Sequence, residues 1–221
     1  MFFFDLDGTL LDSTSVWTDI DVAFLGQHGI SPVPEDYTDY VTHHSAPDAA
    51  QYTKERYALI ESPQEIMDAW SGMAKIAYSQ TLELKPGAKE FLLACKQEGR
   101  RMAILTSCFP ELCHAALEHH GISHLFEMVL TTMETGLEKR DGALYRLAAE
   151  KCGVVPEACT LFEDNPAYCA AASQVGFQIV GIRDPMFRSR QEELAALCAP
   201  GHYLSDFRGI TPAHILKPSS I

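Results

Sequence analysis

Residues 2–8 read Phe-Phe-Phe-Asp-Leu-Asp-Gly, an unbroken apolar run that ends in two acids and a glycine. A strand that is apolar at every position must bury both of its faces. That is expected of an inner strand in a parallel sheet covered by helices. The strand expected covers 2–6, and the acids, Asp5 and Asp7, fall at its carboxyl end. A buried carboxylate there is costly unless it is paired or bound to a cation. Two carboxylates spaced i, i+2, with Gly8 permitting close backbone approach, suggest a site for a hard cation. Turn or capping aspartates are the alternative on this motif alone.

Further short apolar runs occur at 102–105, 128–130, 160–162 and 178–181. Between and after them lie stretches with helical pattern: 89–97, 111–120, 142–151 and 167–175, the last three followed closely by Gly121, Gly153 and Gly176. Strands alternating with helices predict right-handed crossovers and a mostly parallel α/β sheet with helices on both faces. Residues 14–82 break the alternation. They carry aromatic residues among helix formers and no convincing strand, which predicts a helical insert joined near 13–15 and 82–86. The organisation expected is a core of 1–13 and 83–221 and a small α-helical cap of 14–82. Residues 213–221 read as a tail.

Seventeen basic and thirty acidic side chains give a formal charge of −13, which disfavours nucleic acid and anionic membrane as partners. No apolar stretch reaches the length of a membrane span, and Asp5 and Asp7 interrupt the apolar start too early for a signal peptide. Seven cysteines, none in a C-x-x-C pair, point to buried thiols in a reducing compartment, here the cytoplasm. With so acidic a chain, an anionic substrate requires local positive charge from a metal, a lysine or a helix N-terminus.

In open parallel sheets, sites form beyond the carboxyl ends of the strands. The second run ends in Thr106-Ser107 just before a helix, so hydroxyls and free N–H groups could cradle a phosphate. Lys139 lies in the loop after the third run. The fourth run ends in Glu163-Asp164 and a helix follows at once. Read singly, these are ordinary caps and a surface lysine. Together they place acid, hydroxyl, lysine and acid at successive strand ends.

That ordered set resembles the haloacid dehalogenase superfamily. FFFDLDGTLLDS (2–13) resembles its Asp-x-Asp-Gly-Thr motif, AILTS (103–107) its strand ending in Thr or Ser, Lys139 its lysine ahead of a helix, and LFEDNPA (161–167) its acidic motif. The resemblance spans the core, and the insert resembles the helical cap of subfamily I, nearest the phosphoglycolate phosphatase and β-phosphoglucomutase branch. It implies a Rossmann-like core and a Mg²⁺-dependent phosphatase acting on a small phosphorylated metabolite as monomer or homodimer. It further implies Asp5 as nucleophile, Asp7 as general acid and base, Thr106 and Lys139 as catalytic partners, and Asp5, Asp7, Asp164 and Glu163 around the metal, with Glu163 either a direct ligand or a group behind the ligands. Gly8, Thr9, Ser107, His43 and His44 would face substrate. Trp17, Tyr40, Lys54 and Arg56 are weaker cap candidates. Two positions depart from the common pattern: Ser107 where Asn is frequent, and Arg140 where Pro is.

Competing readings are a sugar phosphomutase and a non-catalytic metabolite-binding protein. Residues 41–47 lack the Lys-Gly-x-Ser-Arg-like run of the mutases. Decay to a binding module should have removed at least one of Asp5, Asp7, Lys139 or Asp164.

Overall fold

The computed structural model describes residues 1–215. Six parallel strands form one sheet in the order β3-β2-β1-β4-β5-β6. They are β1 (Phe2–Phe4), β2 (Met102–Thr106), β3 (Met128–Thr131), β4 (Thr160–Glu163), β5 (Gln178–Ile182) and β6 (Tyr203–Leu204). Five of these were expected. The sixth is two residues long, too short for any periodicity, and exists because β5 offers it an edge.

β1 stops at Phe4, two residues short of the strand expected over 2–6. The ladder continues through the Asp5 amide, which donates to the Phe162 carbonyl at 3.0 Å. Leu6 then turns the chain: its carbonyl accepts from the amides of Leu10 and Leu11.

Side chains of β1 alternate between two cores. Phe2 and Phe4 join Phe91, Phe162 and Phe207 on one face, and Phe3 meets Leu144, Tyr145, Leu161 and Phe177 on the other. The first face is covered by α5 (Ala88–Gln97) and α6 (Pro110–His119), the second by α8 (Gly142–Lys151), α9 (Pro166–Gln174) and α10 (Gln191–Leu197). A one-turn α7 (Thr132–Thr135) follows β3. Two of these helices start where sequence chemistry says they should. Asp141 accepts from the Ala143 amide to open α8, and Asn165 accepts from Ala167 to open α9, with Pro166 in its first turn.

Between β1 and β2 stand α1 (Thr14–Gln27), α2 (Glu35–Thr42), α3 (Ala46–Tyr57) and α4 (Pro63–Ile76), the last running into a π-turn at Ala77–Thr81. No strand occurs there among the described residues. Their apolar residues Phe24, Tyr37, Ile66 and Trp70 are continuous with the Phe2–Phe4 core. The tail expected from 213 is corrected in part. Pro212–Ile215 form a last short turn, α11, and Ile215 is buried in the core facing α5; the rest of that stretch lies outside the described residues. All seven cysteines are unpaired and six are buried, as expected of small apolar side chains.

Phe162 stacks on Phe4 with ring centroids 4.4 Å apart, and both are fully buried. Phe162→Ala should therefore lower unfolding stability by about 3–5 kcal/mol in urea titration. A loss under about 1 kcal/mol would show that the sheet does not depend on this stack.

Candidate active site

The chain lays β1, β2 and β3 outward to one side, then returns to place β4 on the other side of β1. A crevice opens at the carboxyl ends where the direction reverses. Asp5 follows β1 directly, Thr106 ends β2, and Glu163 ends β4 with Asp164 next. These residues and Lys139 line one cleft, whose other walls come from the helices between β1 and β2.

Lys139 is the centre of the polar network. Its ammonium lies 2.8 Å from Asp5 Oδ1 and 2.5 Å from Glu163 Oε2, and sits over the Tyr168 ring at 4.9 Å. The residue is 1% exposed. Burial pulls its pKa down, but Asp5 and Glu163 overcome that and hold it well above the ordinary lysine value. The lysine is a fixed cation. Glu163 Oε1 meanwhile accepts from the amides of Asp164 and Asn165, each at 3.0 Å. Both Glu163 oxygens are thus occupied, so its chemistry is to orient Lys139 and the loop beneath Asp164.

Asp164 accepts from the Thr9 hydroxyl at 2.9 Å through Oδ1. Burial, then Glu163 and Asp5, push its pKa well above the carboxylate range, and the same causes raise Glu163. So strong a cost in acidic charge is what a cation relieves. Oxygens of Asp5, Glu163 and Asp164 lie within 4.8 Å of one another. With Asp5 and Asp164 each bonded through Oδ1, Oδ2 of each is left, among the described residues, for a divalent ion. The donors are hard oxygens, which suits Mg²⁺ or Ca²⁺ rather than a soft metal. Gly8 makes room for this: a Cβ there would come within 2.4 Å of Asp164 Oδ2, on a backbone of φ +74°.

Asp7 faces the same cleft. The Tyr78 hydroxyl, from the π-turn after α4, donates to Asp7 Oδ1, and the Trp17 indole donates to Tyr78 at 2.8 Å. Burial raises the Asp7 pKa, against the hydrogen bonds of Tyr78 and Ser13. Cys108 lines the cleft beside it with its thiol held protonated by burial and by Asp7, which makes it a poor nucleophile.

The structure brings together Asp5, Asp7, Gly8, Thr106, Ser107, Lys139, Glu163, Asp164 and His44 in the cleft lining. Thr9 and His43 stand outside it. Thr9 is buried behind Asp164, and the Gly8 amide donates inward to Ser13 Oγ and the Leu11 carbonyl. Thr106 Oγ1 accepts from the Cys108 amide at 3.1 Å. His43 packs edge-on against Phe187, and its Nε2 accepts from Arg190 at 2.9 Å. His44 stacks on Tyr40 and bonds Arg140, which also reaches Asp48 at 3.5 Å. The departure at position 140 thus ties the core to the helical segment. Trp17 lines the cleft, whereas Lys54 caps the end of α3 through the carbonyls of Leu59 and Glu61, and Arg56 pairs with Asp36 at the surface.

Sequence reasoning missed Asp184, Lys85 and Tyr78. Asp184 accepts from Lys85 at 2.9 Å and from the Thr14 hydroxyl at 2.6 Å, and it also raises the pKa of Asp164. The signal was available: Asp184 stands two residues beyond β5, the one strand end not inspected for acids. Tyr78 had none, since an aromatic among helix formers reads as packing.

The family model for haloacid dehalogenase-like hydrolases matches residues 1–176. The GMP/IMP nucleotidase YrfG of Escherichia coli is 28% identical over 193 residues, covering 82% of each chain. Hexitol phosphatase A of the same organism is 24% identical over 195 residues, covering 87% of each. The crystal structure of CbbY from Rhodobacter sphaeroides in complex with phosphate superposes with a TM-score of 0.81, at 20% identity and 97% coverage of both chains.

Raised carboxyl pKa values have a definite consequence for stability. Asp7, Glu163 and Asp164 bind protons more tightly folded than unfolded. Their contribution is complete below the unfolded values and is lost as pH rises through the folded ones. The melting temperature of metal-free protein should fall as pH rises above the ordinary carboxylate range, and millimolar Mg²⁺ should restore it. Asp164→Asn should melt higher than wild type without metal and gain little from it. A Mg²⁺ effect of equal size in that variant would place the cation elsewhere.

Proposed function

Because the chain belongs to the haloacid dehalogenase-like hydrolase family, we propose that it hydrolyses small-molecule phosphomonoesters in a Mg²⁺-dependent reaction through phosphorylated Asp5. The observation that carries this reading is the buried Asp5–Lys139–Glu163 chain set against Asp164 at the head of the cleft. The carboxylates of Asp5 and Asp164, with the main-chain carbonyl of Asp7, would hold Mg²⁺, which would supply the neutralisation that lets a carboxylate approach an anionic phosphoryl group.

The chain's own residues do the rest. Lys139 holds Asp5 by Oδ1 and balances the charge that spreads over the phosphoryl oxygens in the transition state. Asp5 attacks phosphorus and the bond to the leaving oxygen breaks, leaving an acyl phosphate on Asp5. Asp7, whose raised pKa keeps a proton available, delivers it to that oxygen. In the second half, Asp7 takes a proton from the water that attacks the acyl phosphate, and free Asp5 and phosphate result. The Thr106 hydroxyl and the Ser107 amide receive phosphoryl oxygens. Glu163 fixes Lys139 rather than touching the substrate.

Residues 14–82 act as a cap over a core of 1–13 and 83–221. Their contribution to chemistry is Tyr78, which reaches Asp7 from the cap and itself receives the Trp17 N–H. Seating of the cap is thereby coupled to the orientation of the proton donor. The enzyme works in the cytoplasm, where its unpaired thiols are stable.

Phosphate release from a panel of metabolite phosphates, with and without Mg²⁺, tests the reading. Turnover should require the ion, and Asp5→Asn should lose at least ~10³-fold in kcat while remaining folded. Equal turnover in the variant would sink the covalent mechanism. Tyr78→Phe removes a bond that lowers the Asp7 pKa, so the rising limb of its kcat–pH profile should move to higher pH. A limb that stays in place would separate Tyr78 from the proton-transfer step.

A further inference from the structure

The cleft has a second polar end, remote from the catalytic acids. Along α1, Thr14, Trp17, Thr18 and Asp21 all reach the lining, the spacing of one helical face. Thr14 stands at the acidic end, bonded to Asp184. Asp21 lies two turns on, about 10 Å further along the axis. Its carboxyl is desolvated and raised to about 7, and the group beside it is the Tyr37 hydroxyl, itself engaged with Thr53.

A complementary group stands on the same wall. Trp70 of α4 lines the cleft and is 6% exposed, and its indole N–H has no hydrogen-bond partner among the described residues. It packs edge-on at 5.8 Å against Phe24, one turn beyond Asp21 on α1. A buried unpaired donor is rare and calls for an explanation. Three further polar side chains of the lining are already bonded. Thr18 donates to the Thr14 carbonyl, Thr42 to the Thr38 carbonyl, and His44 is taken by Tyr40 and Arg140. What remains between them is apolar: Trp17, Ile20, Val41, Ala49 and Phe109.

This inference rests on the phosphomonoesterase reading and names its leaving group. We propose that the substrate is a nucleoside monophosphate whose base presents a lactam edge, with the ring N–H donating to Asp21 and the adjacent carbonyl accepting from Trp70 Nε1. The phosphoryl group would lie at Asp5, the ribose would cross the gap along α1, and the base would rest among the aromatic walls. Several features favour this leaving group over others. A triose phosphate is too short to reach Asp21. A hexose phosphate would turn several hydroxyls toward walls whose polar groups are occupied. Above about pH 7 Asp21 is a carboxylate and needs a donor, whereas adenine offers an acceptor there, so the site leaves it mispaired.

Steady-state phosphate release with Mg²⁺ at about pH 8, where Asp21 is ionised, tests the assignment, using inosine, guanosine, uridine and adenosine monophosphates and glucose 6-phosphate. Inosine monophosphate should exceed adenosine monophosphate in kcat/KM by at least ~10-fold, the scale of one mispaired buried edge. Asp21→Ala, and Trp70→Phe with its ring packing kept, should each pull that ratio toward one. An unchanged ratio in both variants overturns the assignment. So does a wild-type enzyme that prefers glucose 6-phosphate or adenosine monophosphate, although phosphomonoester hydrolysis then stands. A wild-type protein that releases phosphate from no compound overturns the phosphomonoesterase reading and this inference with it.

Discussion

A lysine ammonium held in the interior by two carboxylates organises everything around it. Removing Lys139 from water is unfavourable in itself, and Asp5 and Glu163 more than offset that. The converse holds as well: without the lysine, Asp5, Glu163 and Asp164 would crowd three acids into a space where charge is poorly screened. Breaking a buried pair of this kind leaves an uncompensated charge and typically costs several kcal/mol, about 3–5. Glu163 completes the arrangement by accepting two amides at the start of α9. One side chain thus links the lysine, the helix entry and the position of Asp164.

The sheet makes so much buried charge tolerable. β1 is apolar along its length, the middle of β4 is Leu161-Phe162, and Phe4 stacks on Phe162, so the charged groups are confined to one end. Confinement needs close approach, and Gly8 and Thr9 provide it. The first removes a Cβ that would strike Asp164, and the second bonds the same carboxylate. The Asp-x-Asp-Gly-Thr run is therefore one geometric unit: acids to act, glycine to admit, threonine to hold.

The helices between β1 and β2 do two things at once. They share the core of the sheet through Phe24, Tyr37 and Trp70, and they touch the chemistry through Tyr78. Side-chain ties from His44 to Arg140 and from the Ser45 amide to Glu138 fasten them to the loop that carries Lys139. The cleft wall and the Asp7 carboxyl are thus mechanically connected, with Trp17 contributing both a wall and the hydrogen bond to Tyr78.

The sequence by itself determined which strands are interior and where chemistry must lie, because both are local properties. An apolar run such as 2–4 can only be buried, and acids at its end can only be costly or useful. Four helices flanking the sheet were legible for the same reason, from apolar spacing and end signals. β6 was not, because two residues carry no period. The partners were decided only in three dimensions. Nothing in the loop around Lys139 says that its ammonium reaches Asp5 rather than water. Nor does the sequence say that Glu163 meets the lysine, that Lys85 meets Asp184, or that Tyr78 meets Asp7 across a separation of 71 residues. A side chain's type limits what it can bond to. Which group it does bond is set by burial and by the crossovers that bring distant strand ends together, and those belong to the whole fold.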